Sequence, residues 1–124
     1  MQSPSFRPPA PHDPAELAEE VELDLEKKRR IIDLFSRIED LSYYDLLGVP
    51  RDADKKQIKG AYYRLAPEFH PDSYFRKNLG SFKAKIEVIF TRVTLAHDVL
   101  TSRQRRAEYD AYLDQSVMNR SMSD

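Results

Sequence analysis

At 124 residues the chain has room for one domain and its tails, and too little surface to bury for a large catalytic core. It contains no cysteine, which excludes disulfides and thiol chemistry and fits a reducing compartment. The net charge of −1 is unevenly spread: residues 15–41 carry net −4 and residues 42–114 net +3, so an acidic arm precedes a mildly basic module, a split that fits either a negatively charged partner for the module or simply two solvated surfaces.

The chain opens on a Pro-rich leader, residues 1–14, with few apolar anchors and an expected extended, mobile conformation. Asp13-Pro14-Ala15-Glu16 reads as a helix start, and the spacing predicts one helix to about Asp40. Its second half carries the stripe Ile31, Leu34, Phe35, Ile38 and Leu41, which is expected to pack on the module as an extra helix. Its acidic first half, Glu16 to Glu26, is expected to project, free to hold a further protein partner or to swing over the basic face. Ser42 caps a short helix, Tyr43 to Leu47, that Gly48 stops. Asp54 with Gln57 caps the next, whose apolar side is Ile58, Ala61, Tyr62, Leu65 and Phe69. Its polar side carries Lys55, Lys56, Lys59 and Arg64. Pro67 predicts a kink or an end near Ala66. After a loop of about a dozen residues, Ser81 is read as the cap of a long helix with the stripe Ile86, Ile89, Phe90, Val93, His97 and Leu100. Thr101 with Gln104 opens a final helix to about Asp114, and residues 115–124 read as a flexible polar tail.

This pattern is all-α: two longer helices as an antiparallel hairpin, short flanking helices, and an extra N-terminal helix. The expected organisation is a leader at 1–14, a helical arm at 15–41, the hairpin module at 42–114 and a tail at 115–124.

Between the two longer helices lies His70-Pro71-Asp72. Pro71 pushes His70 out of helical geometry, so an imidazole and a carboxylate are presented at the tip of the hairpin. By the residues alone this is a polar tip that either serves a partner or tidies a helix end.

The surrounding residues resemble the J-domain (DnaJ-like) family. The resemblance is carried by Tyr43-Tyr44-Asp45-Leu46-Leu47-Gly48-Val49 at the opening and by Gln57-Ile58-Lys59, Ala61-Tyr62 and Arg64-Leu65-Ala66 before His70-Pro71-Asp72. Phe90, Val93, Ala96, Val99 and Leu100 match its third helix, and Gln104-Arg105-Arg106-Ala107-Glu108-Tyr109-Asp110 its closing motif. What the resemblance implies is a J-domain fold and a co-chaperone of a seventy-kilodalton heat-shock ATPase. The basic face of the second helix would dock on an acidic surface of that ATPase, and the His-Pro-Asp loop would stimulate ATP hydrolysis. By matching position, Lys59 and Arg64 take the docking role and His70, Pro71 and Asp72 the stimulating role. Phe90 braces the loop in this reading, and Lys55 and Tyr62 complete the partner-binding set, Tyr62 with its ring buried and its hydroxyl exposed. Tyr63 and Glu68 stand where the family usually has bases, Gly60 where another is common, and Ser73-Tyr74-Phe75 where Arg-Asn is more usual.

The implied protein is not an enzyme and takes no cofactor. No phosphate loop, activated serine or carboxylate pair is evident. His97 lacks the companions a metal site needs and is expected to be partly buried and hydrogen-bonded, while His12 in the leader is expected to be solvated. Lys27-Lys28-Arg29-Arg30, flanked by acids, reads as ion pairs on a helix surface rather than a nucleic-acid or lipid patch. No apolar run reaches the roughly 18 residues of a membrane span, and no signal peptide precedes the arm, so a cytoplasmic location without membrane contact is expected. Two other readings stay open: a J-like tether that stimulates no ATPase, and a small helical nucleic-acid binder.

Overall fold

The computed structural model describes residues 14–123. The leader, His12 and the Asp13 cap lie outside the described residues. In chain order the elements are α1 (Pro14–Ala18), α2 (Leu25–Arg37), α3 (Tyr43–Leu47), α4 (Lys55–Phe69), a 3-10 turn (Pro71–Tyr74), α5 (Phe82–Leu100) and α6 (Arg103–Ser123). Among the described residues no strand occurs and no helix is long and apolar enough to cross a membrane.

Local chemistry sets most of these boundaries. Ser42 is extended and its side chain accepts from the Asp45 amide, while Gly48 closes α3 in the left-handed conformation at φ 72°, which costs glycine no Cβ clash. Asp54 and Gln57 form a reciprocal capping box on α4. The α4/α5 pair is antiparallel, since contacts run in opposite order along the chain: Tyr62 meets Thr94 and His70 meets Phe90. Ile58 and Phe69 from α4 and Phe82, Ile86, Ile89 and Val93 from α5 are almost fully buried between them. Burying each such side chain contributes about 1.5–3 kcal/mol.

The far end of this hairpin is closed by a stitch between the opening and closing motifs. The Tyr43 amide donates to the Tyr109 hydroxyl at 2.9 Å and the Tyr44 hydroxyl to Asp110 at 2.6 Å. Arg106 donates from Nε to the Tyr44 hydroxyl at 3.0 Å, and the Tyr43 and Tyr109 rings stack with centroids 4.3 Å apart.

Helix α2 packs on α5 and buries Ile31, Ile32, Leu34 and Ile38. Phe35, placed at the centre of the expected stripe, is 36% exposed; its ring lies under the Lys85 ammonium at 5.2 Å.

The N-terminal arm departs from expectation. One helix to Asp40 is replaced by two, because the chain breaks at residues 19–24 and Asp24 caps α2 by accepting from the Lys27 amide. Nor does the acidic half project. Lys28 is 8% exposed and donates its ammonium hydrogens to the carbonyls of Leu17 at 3.1 Å and Glu19 at 2.6 Å. That folds residues 19–24 back as a strap, with Leu17, Val21 and Leu23 against the core. The strap holds the loop before α5. Glu22 exchanges bonds with the Asn78 backbone, and Glu19 accepts from the Ser81 amide at 3.1 Å and from the Ser81 hydroxyl. Ser81 stands at the N-cap of α5, as expected, but its own side chain makes no cap bond; a carboxylate from 62 residues away accepts from its amide instead. Gly80, at φ 52°, makes room for it, because a Cβ there would run into the Glu19 carboxylate.

Three further boundaries differ from the sequence reading. Helix α4 continues through Pro67 to Phe69. The bond that Pro67 cannot make would go to the Tyr63 carbonyl, four residues earlier in a residue that is itself exposed. Ser102, not Thr101, supplies the hydroxyl at the start of α6, accepting from the Arg105 amide, while Thr101 donates back to the His97 carbonyl. Helix α6 runs on past Asp114 to Ser123.

Candidate functional site: the tip and outer face of the hairpin

The tip is built by ending α4 twice over. Pro71 holds His70 at ψ 133°, outside helical space, and the same His70 caps the following turn. Its Nδ1 accepts from the Asp72 amide at 3.0 Å, which leaves the ring proton on Nε2 when the imidazole is neutral. The ring meets Phe90 edge-on, centroids 4.8 Å apart and planes at 71°. Phe69, directly before the tripeptide, is fully buried and anchors the end of α4.

The residues after the tripeptide tie the turn back to the helix. The Ser73 hydroxyl donates to the Pro67 carbonyl at 2.6 Å and the Tyr74 hydroxyl to the Glu68 carbonyl. Two of the unsatisfied carbonyls at the end of α4 thereby gain donors. Against this fixed backbone the Asp72 side chain is 92% exposed, its Oδ2 3.8 Å from His70 Nδ1. A carboxylate so held reaches a partner without first ordering its own loop.

Below the tip, Lys55, Lys56, Lys59 and Arg64 are all exposed on α4, and Tyr63 beside them is 66% exposed. Tyr62 differs from its expected pose: the hydroxyl is not free but lies 3.2 Å from the Thr94 hydroxyl, with the ring 4.4 Å from that of His97. His97 is mostly buried and pairs through Nδ1 with Asp98 at 3.0 Å. Among the described residues no group of three or more His, Cys, Asp or Glu is placed to hold a metal. The four-base cluster of α2 divides. Lys28 holds the strap, while Lys27 and Arg30 reach Glu68 on α4.

Sequence reasoning singled out the tripeptide, Lys55, Lys59, Tyr62, Arg64 and Phe90: His70 and Phe90 meet at the tip, Lys55, Lys59 and Arg64 are exposed along α4, and Tyr62 packs on α5. It missed the anchoring hydroxyls of Ser73 and Tyr74, and the reach of α2 to α4. The signal for the first was present in two hydroxyls directly after a helix-ending proline. For the second there was none, since only the packing angle of α2 brings Arg30 to Glu68.

The family described as the DnaJ domain matches residues 42–110. Chaperone protein DnaJ 1 of Streptomyces avermitilis is 47% identical over 68 residues, which are 55% of this chain and 16% of the relative. The chain thus matches about a sixth of that relative's length.

Proposed function

The chain belongs to the DnaJ domain family, and from that premise we propose that it is a co-chaperone that docks on a seventy-kilodalton heat-shock ATPase in the cytoplasm and stimulates its hydrolysis of ATP. The observation that carries this reading is the Asp72 carboxylate, 92% exposed at the end of a turn whose backbone is bonded on both sides. In this proposal Lys55, Lys59 and Arg64 steer an acidic surface of the ATPase onto α4. Tyr62 supports that face from its flank, Phe90 holds the His70 ring, and Pro71 fixes the turn. The carboxylate then competes for a basic group of the partner and shifts it toward its hydrolysing state, a switch by differential binding in which this chain performs no chemistry.

The test is a single-turnover ATPase assay with heat-shock ATPases, comparing the chain with Asp72→Asn. We expect the wild type to accelerate hydrolysis and the variant, equally folded by circular dichroism, to lose the acceleration. Equal stimulation by both would refute the mechanism. A tethering role without stimulation is favoured by one observation, the acid Glu68 on a docking helix; binding by wild type with no acceleration would establish it.

A further inference from the structure

Glu68 sets a problem for the docking reading, on which this inference rests. A carboxylate on the flank of α4 repels the acidic surface that Lys59 and Arg64 would attract. Yet the fold does not leave it alone. Arg30 donates to it from both sides of its fork, Nε at 2.6 Å and Nη2 at 3.1 Å, and the Lys27 ammonium stands 3.6 Å away. Burial alone pushes the Glu68 carboxyl up, but Arg30 and then Lys27 more than reverse this and hold it below the usual carboxylate range. Lys27 and Arg30 also lie over the Phe69 ring, at 5.9 and 5.8 Å, directly before the His-Pro-Asp turn. Arg30 and Arg64 also line one groove of about 280 Å³.

We infer that α2, which precedes the segment matched to the family, is part of the docking surface: Lys27 and Arg30 reverse the local charge around Glu68 and join Arg64 in a cationic patch for an acidic protein surface. One acid and two bases make a net positive cluster where Glu68 by itself would be negative. The stretch of α4 nearest the tip thus regains its attraction for the partner through a neighbouring helix. Arg30 stays 48% exposed in its side chain while paired.

The experiment is stopped-flow association of the full chain with the heat-shock ATPase at low salt and at roughly 0.15 M, where the screening length falls to about 8 Å. Arg30→Glu should slow association about threefold to tenfold at low salt and less at high salt. The swap Arg30→Glu/Glu68→Arg keeps the pair and the net charge, and should return within about twofold of wild type; thermal unfolding of the swap checks that the fold is retained. A single variant as fast as wild type, while Arg64→Glu is slowed, would overturn the role of α2 and leave the docking reading standing. A swap that stays slow overturns the compensation of Glu68. If neither Arg30→Glu nor Arg64→Glu changes association and Asp72→Asn still stimulates, the docking reading falls and takes this inference with it.

Discussion

Replacing Lys28 by Met keeps most of the stem and deletes the ammonium. In the folded chain that ammonium makes two bonds, to the carbonyls of Leu17 and Glu19, from a residue 8% exposed. A hydrogen bond from a charged donor contributes about 1.5–3 kcal/mol. Against two of them stands the cost of holding a cation out of water, several kcal/mol for a fully buried ion. The difference is a net loss of about 1–3 kcal/mol on substitution, or roughly 4–8 °C in Tm for each kcal/mol in a domain of this size. Urea unfolding followed by circular dichroism measures it in four proteins: wild type, Lys28→Met, a deletion of residues 1–24, and the deletion carrying Lys28→Met. In the deletion Lys28 has no carbonyls to hold, so the second Lys28→Met should be close to neutral. Hydrogen exchange adds a local readout, because the Ser81 amide bonded to Glu19 at 3.1 Å should lose protection in Lys28→Met before the middle of α5 does. An equal cost of Lys28→Met with and without the strap would refute the reasoning.

Two other substitutions test how α2 is seated and charged. Ile31→Ala, at a fully buried position, should cost about 2–5 kcal/mol in urea unfolding, whereas Phe35→Ala, 36% exposed, should cost only about 1 kcal/mol; equal costs would mean that α2 is rotated from the packing described. Because the folded Glu68 carboxyl titrates below its ordinary value, its contribution is present above about pH 4.5 and is lost as pH falls through the folded value. Glu68→Gln should therefore be less stable than wild type at pH 7, by under about 1 kcal/mol after solvent screening, and the gap should close in thermal melts as pH falls through the folded value; a gap that persists once Glu68 is protonated would exclude the ion pair as its source.

What could be read in the sequence was what a few neighbouring residues decide. Ser42, Gly48, Asp54 with Gln57, and Pro71 each act within one helical turn, and each boundary they imply is present. The family motifs likewise located the tip, because the opening and closing segments form one bonded unit. What escaped was decided across the chain. The break at residues 19–24 depends on Lys28 finding carbonyls nine and eleven residues earlier and on Glu19 finding Ser81, pairings that no local pattern encodes. Helical periodicity gave the direction of Phe35 but not whether α5 extends far enough to cover its ring. At Pro67 the local rule that proline ends a helix did not hold, since α4 continues through it to Phe69.

The stitch between α3 and α6 bears on how load passes through the molecule. Residues 43 and 109 are in direct contact although 66 positions separate them. The His-Pro-Asp turn lies at the other end of α4, whose 15 residues span roughly 22 Å. A pull between residues 43 and 109 is therefore borne first by two tyrosine hydroxyls, Asp110 and a stacked ring pair. The path between the attachment points bypasses the hairpin, so tension across the module reaches the turn only after that stitch has given way.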